Sequence, residues 1–118
     1  MKSLACALVV LGLAVAAAAQ SGTQKFQGHL VDTVCAVGHA TEPGYAEKHD
    51  RACNLMDGCI KSGYSLITAD KKVLKFDQKG ADQALALIKA TPKETDLRVT
   101  VTGKMDGQTL VVQSITVD

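Results

Sequence analysis

Five residues in one stretch of this 118-residue chain carry side chains that bind metals or react as nucleophiles. Three are thiols and two are imidazoles, the ligand types that zinc and copper prefer in proteins. No other part of the chain gathers such groups. The sequence therefore predicts a chemical site in this stretch, built from Cys35, His39, His49, Cys53 and Cys59.

The spacing of these residues favours a site for a transition metal, zinc or copper. Cys35 precedes His39 by four positions and His49 precedes Cys53 by four, so each pair shares one face if its backbone is helical. Four ligands complete a tetrahedral shell. The preferred ligands are the three cysteines and one histidine, with His39 as the alternate in a loop beside glycine: Cys35, His49, Cys53 and Cys59.

The first residues of the chain predict export. Lys2 precedes a charge-free apolar run whose small residues suit cleavage after Ala19, so residues 1–19 are expected to be a signal peptide. Residues 20–118 then form one periplasmic or secreted domain with no membrane span. Removing Lys2 from the 13 basic residues leaves 12 against 12 acidic residues. This neutral balance gives no electrostatic basis for binding nucleic acid.

Disulfide pairing is the competing interpretation of the same cysteines. In an oxidising compartment neighbouring cysteines normally pair, and a bridge contributes about 2–4 kcal/mol to the stability of a small domain. Three cysteines remain after cleavage, so one is left over, and any two of Cys35, Cys53 and Cys59 are candidates. Catalysis by an activated thiol is less favoured, because the chain has no Cys-x-x-Cys motif and no residue that evidently orients a histidine.

Five strands and two helices are predicted to position these groups. Tyr45, His49, Cys53 and Met56 recur at helical spacing, which predicts a helix over residues 45–57 that ends at Gly58. Alternation and turn residues, among them Asp106-Gly107, predict the strands. The strands are expected at residues 25–32, 64–68, 72–76, 96–103 and 110–117, and a second helix at residues 81–90.

The order of these elements indicates an α+β fold that is mainly β with helices. We expect an OB-like five-stranded barrel in which residues 33–63 form an inserted helical segment that carries the cysteines and histidines. The alternative is an open antiparallel α+β sheet with a helix across one face. In either fold, Asp50 and Asp57 are candidates for hydrogen bonds to the metal ligands.

The chain resembles small exported bacterial proteins of unassigned function. The resemblance rests on the run from Gly28 through Asp32 to Cys35, on the following histidine and two cysteines, and on the strand pairs 99–103 and 114–117. It implies an OB-like exported domain with a Cys/His cluster, and it implies no activity. The six-residue step from Cys53 to Cys59 is longer than is usual in that group.

The expected function is that of a non-enzymatic exported binding module with zinc or copper at its Cys/His cluster. The alternative is a disulfide-stapled OB-like domain that binds a peptide, a glycan or a partner protein and holds no metal. The two differ in the state of the thiols, because a metal site needs all its cysteines reduced and a bridge consumes two of them. The sequence names no partner and no oligomeric state.

Overall fold

The structure, a computed structural model, describes residues 22–118. The predicted signal peptide lies outside the described residues. No helix in the described range is long and apolar enough to span a membrane. In chain order the elements are β1 (Gln24–Asp32), α1 (Thr33–His39), α2 (Tyr45–Lys48), α3 (Arg51–Asn54), α4 (Asp57–Ser62), β2 (Tyr64–Ile67), β3 (Val73–Phe76), α5 (Gln78–Ala90), β4 (Arg98–Asp106) and β5 (Thr109–Val117).

The five strands form a closed barrel in the order β1-β2-β3-β5-β4. β1 closes it, because residues 24–29 pair with β4 while residues 29–32 pair with β2. β3 and β5 run parallel, and the other strand pairs are antiparallel. The expected α+β class with five strands is confirmed, and the open-sheet alternative is wrong because β1 joins the two edges that an open sheet would leave unpaired.

Apolar side chains, most of them aliphatic, fill the barrel, and α5 packs against this core. Alternate residues of the strands point inward, as the period of two requires, and Leu66, Val99 and Leu110 are fully buried. Helix α5 adds Ala84 and Ile88 to the same cluster. Its first turn is fixed by Asp77, whose carboxylate accepts hydrogen bonds from the backbone N–H groups of Gly80 and Val112.

The segment between β1 and β2, residues 33–63, holds four short helices, and we call it the insertion. The single helix expected over residues 45–57 is wrong. His49 (ψ 129°) and Asp50 (φ −99°, ψ 159°) leave the helical conformation, because the Asp50 carboxylate caps a new helix by accepting a 2.7 Å hydrogen bond from Cys53 N–H. Gly58 lies inside α4 instead of ending a helix, and His39 ends α1 instead of lying in a loop.

Two side chains attach the insertion to the barrel. The Arg51 guanidinium donates to the backbone carbonyls of Ile88 (2.8 Å) and Lys89 (2.9 Å) near the end of α5, where carbonyls lack partners within the helix. The Tyr64 hydroxyl at the start of β2 donates a 2.6 Å hydrogen bond to the carbonyl of Asn54. These polar contacts hold the short helices, together with the apolar cluster that Ala36, Ala40 and Ala46 form with barrel residues.

Candidate metal centre

Asp32 lies at the junction between the barrel and the insertion. It is the last residue of β1 and the N-cap of α1, and its Oδ2 accepts a 3.1 Å hydrogen bond from Cys35 N–H. Its side chain is completely buried. An N-cap carboxylate faces the first turn of its helix, so this local geometry places the Asp32 carboxylate beside the Cys35 side chain.

Cys59 brings a second thiol to this carboxylate from α4. One ligand atom from each of Asp32, Cys35 and Cys59 lies within 4.8 Å of the other two. In tetrahedral zinc sites a Zn–S distance of about 2.3 Å places two sulfurs about 3.8 Å apart. Small side-chain rotations would therefore bring these three atoms, which we call the Asp32/Cys35/Cys59 triad, around one ion.

His49 and Asn54 hold the Asp32 carboxylate in place. The Oδ1 atom of Asn54 accepts a 2.9 Å hydrogen bond from Asp32 N–H, which fixes the orientation of the Asn54 amide. The Nε2 atom of His49 lies 2.9 Å from Asp32 Oδ1 and 3.0 Å from Asn54 Oδ1. Because both neighbours are acceptors, Nε2 carries the hydrogen. His49 is thus a donor to Asp32, and its Nε2 lone pair is not available to a metal.

The protein environment keeps the thiols protonated in the absence of a metal. Burial raises the pKa of Cys59 to about 12, and the nearby Asp32 adds to this shift. Burial is also the main cause that raises the pKa of Cys35, and the Asp50 hydrogen bond is the main cause that raises the pKa of Cys53. Reactive cysteines have lowered pKa values, so none of these thiols is activated as a nucleophile.

Asp32 differs from the thiols, because it stays ionised. Burial acts to raise its pKa, but the hydrogen bonds from His49 and from Cys35 N–H outweigh burial, and the pKa is lowered. The triad therefore presents one carboxylate and two neutral thiols. A divalent metal cation that displaced the two thiol protons would leave the net charge of the site unchanged, at one negative charge.

Tyr45 contacts the site from α2. Its hydroxyl is hydrogen-bonded to the Cys35 sulfur, and burial followed by this bond raises its own pKa. Its ring lies between two imidazoles, stacked on His39 with a centroid distance of 4.7 Å and tilted against His49 at 5.4 Å. The helical spacing that placed Tyr45 in the predicted helix over residues 45–57 gave no signal of this contact.

The structure brings together two of the four ligands preferred from the sequence, Cys35 and Cys59. His49 reaches the triad only through Asp32. Cys53 lies outside the triad, with its thiol hydrogen-bonded to Asp50. His39 points to Glu42, with 2.7 Å between Nδ1 and Oε1, and its side chain is 47% exposed.

Asp32 and Asn54 were not identified as site residues from the sequence. Asp32 had an available signal, since an aspartate at the end of a predicted strand and three residues before Cys35 matches an N-cap pattern. Asn54 had none, because its partner Asp32 lies 22 residues earlier in the chain. Asp50, expected beside a metal ligand, instead caps α3.

Comparisons with known proteins found no relative: the chain matches no protein-family model, no curated protein and no solved structure. Function is therefore inferred from the site. A carboxylate and two thiols at this separation can coordinate a metal ion, and the two thiols can alternatively pair with each other. The raised thiol pKa values disfavour nucleophilic chemistry.

Proposed function

We propose that this protein is an exported binding module that holds one transition-metal ion at Asp32, Cys35 and Cys59. The observation that carries the proposal is the approach of three ligand atoms, one oxygen and two sulfurs, within 4.8 Å of one another. The hydrogen bond from His49 to Asp32 supports it, because carboxylate ligands in metal sites are themselves held by hydrogen bonds.

The ligand types favour zinc over copper. Zinc accepts thiolate and carboxylate oxygen together, whereas the cuprous ion prefers a wholly sulfur environment. Three protein ligands leave a fourth position of a tetrahedral ion for water or for a ligand from another molecule. An exchangeable position suits a protein that takes up and passes on a metal, so we propose metal handling as the role.

We further propose that the domain is OB-like and that it acts outside the cytoplasm. The parallel pairing of β3 with β5, the closure of β1 on β4 and the position of α5 between β3 and β4 support the OB-like topology. The N-terminal sequence pattern supports export. Intact-mass analysis of the protein expressed in a bacterium with its own N-terminus tests export, since cleavage after Ala19 yields a chain that starts at Gln20.

Titration of the reduced protein with Co²⁺ under anaerobic conditions tests the metal site. Cobalt occupies zinc sites and gives an intense near-ultraviolet absorption when thiolates bind it. We expect this absorption to saturate at one equivalent in the wild-type protein. Replacement of either triad cysteine, C35S or C59S, should weaken binding about 100-fold or more, because each removes one of only three ligands.

C53S is the matched control, since Cys53 is a cysteine of the insertion outside the triad. It should bind Co²⁺ with the wild-type stoichiometry and an affinity within about threefold of the wild type, below the tenfold change that 1.4 kcal/mol would give. An equal loss of Co²⁺ affinity in C53S and C59S would contradict the triad and favour the four-ligand set predicted from the sequence. A wild-type protein with no thiolate absorption would contradict metal binding altogether.

The proximity of Cys35 and Cys59 also favours a second candidate, a disulfide-stapled OB-like domain that binds a peptide, glycan or partner protein without a metal. The three cysteines among residues 22–118 are free thiols in the structure. Alkylation of protein purified from the periplasm, carried out under denaturing conditions with a chelator and without reductant and followed by intact-mass analysis, distinguishes the candidates. Three labels per chain support the metal site, whereas a single label on Cys53 supports the staple.

A further inference from the structure

A second candidate site lies away from the triad, in a pocket of about 480 Å³. The pocket is bounded by β1, α2, the turn between β2 and β3, and the start of β4, and its volume falls within the range of about 300–1,000 Å³ that is usual for small-molecule sites. None of the three triad residues lines it. Its charged or titratable lining side chains are Glu47, His29, Lys71, Arg98 and Asp118, and the Asp118 carboxylate accepts a 2.7 Å hydrogen bond from the Thr100 hydroxyl.

Glu47 supplies an acceptor that the described part of the chain leaves unsatisfied. Its Oε2 atom is buried and accepts no hydrogen bond from any described residue, and it is the sole buried side-chain oxygen or nitrogen atom among residues 22–118 in that condition. Buried polar atoms nearly always have partners, so such an exception calls for an explanation. Glu47 lines the pocket, so a rotation of its carboxylate that turned this oxygen toward a ligand able to donate a hydrogen bond would provide one.

The opposite charge comes from Lys71 and Arg98. Arg98 Nε donates to Asp96 Oδ1 at 3.2 Å, and the same oxygen lies 2.7 Å from His29 Nε2. Asp96 therefore holds the side chains of Arg98 and His29. No described residue accepts a hydrogen bond from the two terminal nitrogens of Arg98 or forms an ion pair with Lys71, so both cations can bind an anionic group.

We propose that this pocket binds a small zwitterion, a free α-amino acid or a dipeptide, with its ammonium group on Glu47 and its carboxylate on Arg98 and Lys71. A planar guanidinium matches a carboxylate in two parallel hydrogen bonds, and charge-assisted bonds of this kind are the stronger ones in proteins. An ammonium group supplies the donors that the Glu47 oxygen lacks. This site is separate from the metal site, and binding is expected with or without metal.

NMR titration of isotopically labelled protein with matched probes tests the proposal. The probes are glycine, glycylglycine, N-acetylglycylglycine and glycylglycinamide, of which the last two lack the ammonium and the carboxylate respectively. We expect saturable shifts of the Gly28 and Ala69 amide signals with the zwitterions, because both residues line the pocket. Each capped probe should bind about tenfold more weakly or worse, the effect of losing a charged hydrogen bond. Comparison of the affinities for glycine and glycylglycine shows whether the pocket binds a single amino acid or a dipeptide.

The variant E47Q keeps the side-chain shape and removes the charge, and E94Q is its control, since Glu94 is exposed and lies outside the pocket. E47Q should weaken glycylglycine binding about tenfold and abolish the preference over the acetylated probe, while E94Q leaves both unchanged. Equal binding of the acetylated probe to wild-type protein, wild-type affinity in E47Q, or no saturable shift with either zwitterion would overturn the proposal. The wild-type probe comparison stands even if E47Q does not fold.

Discussion

The barrel and the insertion are stabilised in different ways. The barrel buries aliphatic side chains such as Leu66, Val99 and Val101, and its backbone groups pair along five strands. The insertion contains helices of only 4 to 7 residues, too short to be stable alone. They are held by a small apolar cluster in which Ala36, Ala40 and Ala46 pack against Val31 and Ile67, and by polar groups around Asp32 and Asn54 that lie at the candidate metal site.

This contrast predicts where substitutions act. In the barrel, the free energy of burial is spread over many side chains, and the loss of one should weaken the whole domain without changing the metal site. In the insertion, one polar group serves several partners, so its loss should disturb metal binding and local structure together. The following experiments test this difference, from the largest expected effect to the smallest.

Leu66→Ala should have the largest effect. Leu66 is fully buried in β2, and truncation of a buried leucine costs about 3–5 kcal/mol through lost burial and the cavity left behind. Chemical denaturation monitored by circular dichroism measures this change. Cobalt affinity, measured where the variant is still folded, should stay near the wild-type value. A large loss of affinity in a folded L66A protein would show that the two regions are not separable in this way.

Metal affinity should depend steeply on pH, because the metal must displace two thiol protons. The pKa of Cys59 is raised to about 12 and that of Cys35 lies above its ordinary value. Both thiols are therefore protonated below these values, and affinity rises with pH by about 100-fold per unit between pH 6 and 8. Isothermal titration calorimetry in buffers of different ionisation enthalpy counts the released protons. Release of fewer than one proton would contradict a site with two thiolates.

Asn54→Leu should destabilise the insertion by about 2 kcal/mol, because it leaves the backbone N–H of Asp32 buried without its acceptor. We expect faster hydrogen exchange in α3 and α4 and weaker metal binding, with little change in exchange of the β4 and β5 amides. Asn54 is 2% exposed, so an exposed position, Gln113→Leu, serves as the control. Uniform acceleration across both regions would mean that the insertion and barrel unfold together.

Tyr64→Phe should have the smallest effect, about 1 kcal/mol. It removes the hydroxyl that donates to the Asn54 carbonyl and keeps the ring, which is buried in the barrel core. Thermal unfolding and cobalt affinity should both shift slightly. If Y64F proved as damaging as N54L, the hydroxyl would be a major support of the insertion and the Asn54 side chain would not be the main one.

The sequence predicted the barrel better than the site, because the patterns that indicate strands are local in the chain and the contacts that build the site are not. Strand patterns depend on neighbours two residues apart, and the Asp106-Gly107 turn between β4 and β5 is local too, with Gly107 at φ +60°. The helical conformation is interrupted at His49 because Asp50 caps a new helix. The regular spacing of residues in this segment gives no sign of that cap. Met56, which the predicted helix over residues 45–57 placed on one face with Tyr45 and Cys53, is 60% exposed because that helix does not form.

Residue type alone pointed to the two thiols of the candidate site, whereas the sequence signal at Asp32 pointed to a helix cap and not to a ligand. Cys35 and Cys59 attract notice by residue type alone. Asp32 is one of 12 acidic residues, and only the folded chain shows that it lies beside both thiols with His49 bonded to it. The same bond explains why the histidine preferred as a ligand from its spacing becomes the residue that positions Asp32.

X-ray absorption spectroscopy at the zinc edge of the reduced, zinc-loaded protein tests the proposed coordination most directly. The triad predicts two sulfur ligands at about 2.3 Å and oxygen ligands at about 2.0 Å, without the outer-shell scattering of an imidazole. Three sulfurs or a bound imidazole would contradict it, since either result would place Cys53 or a histidine in the first coordination shell.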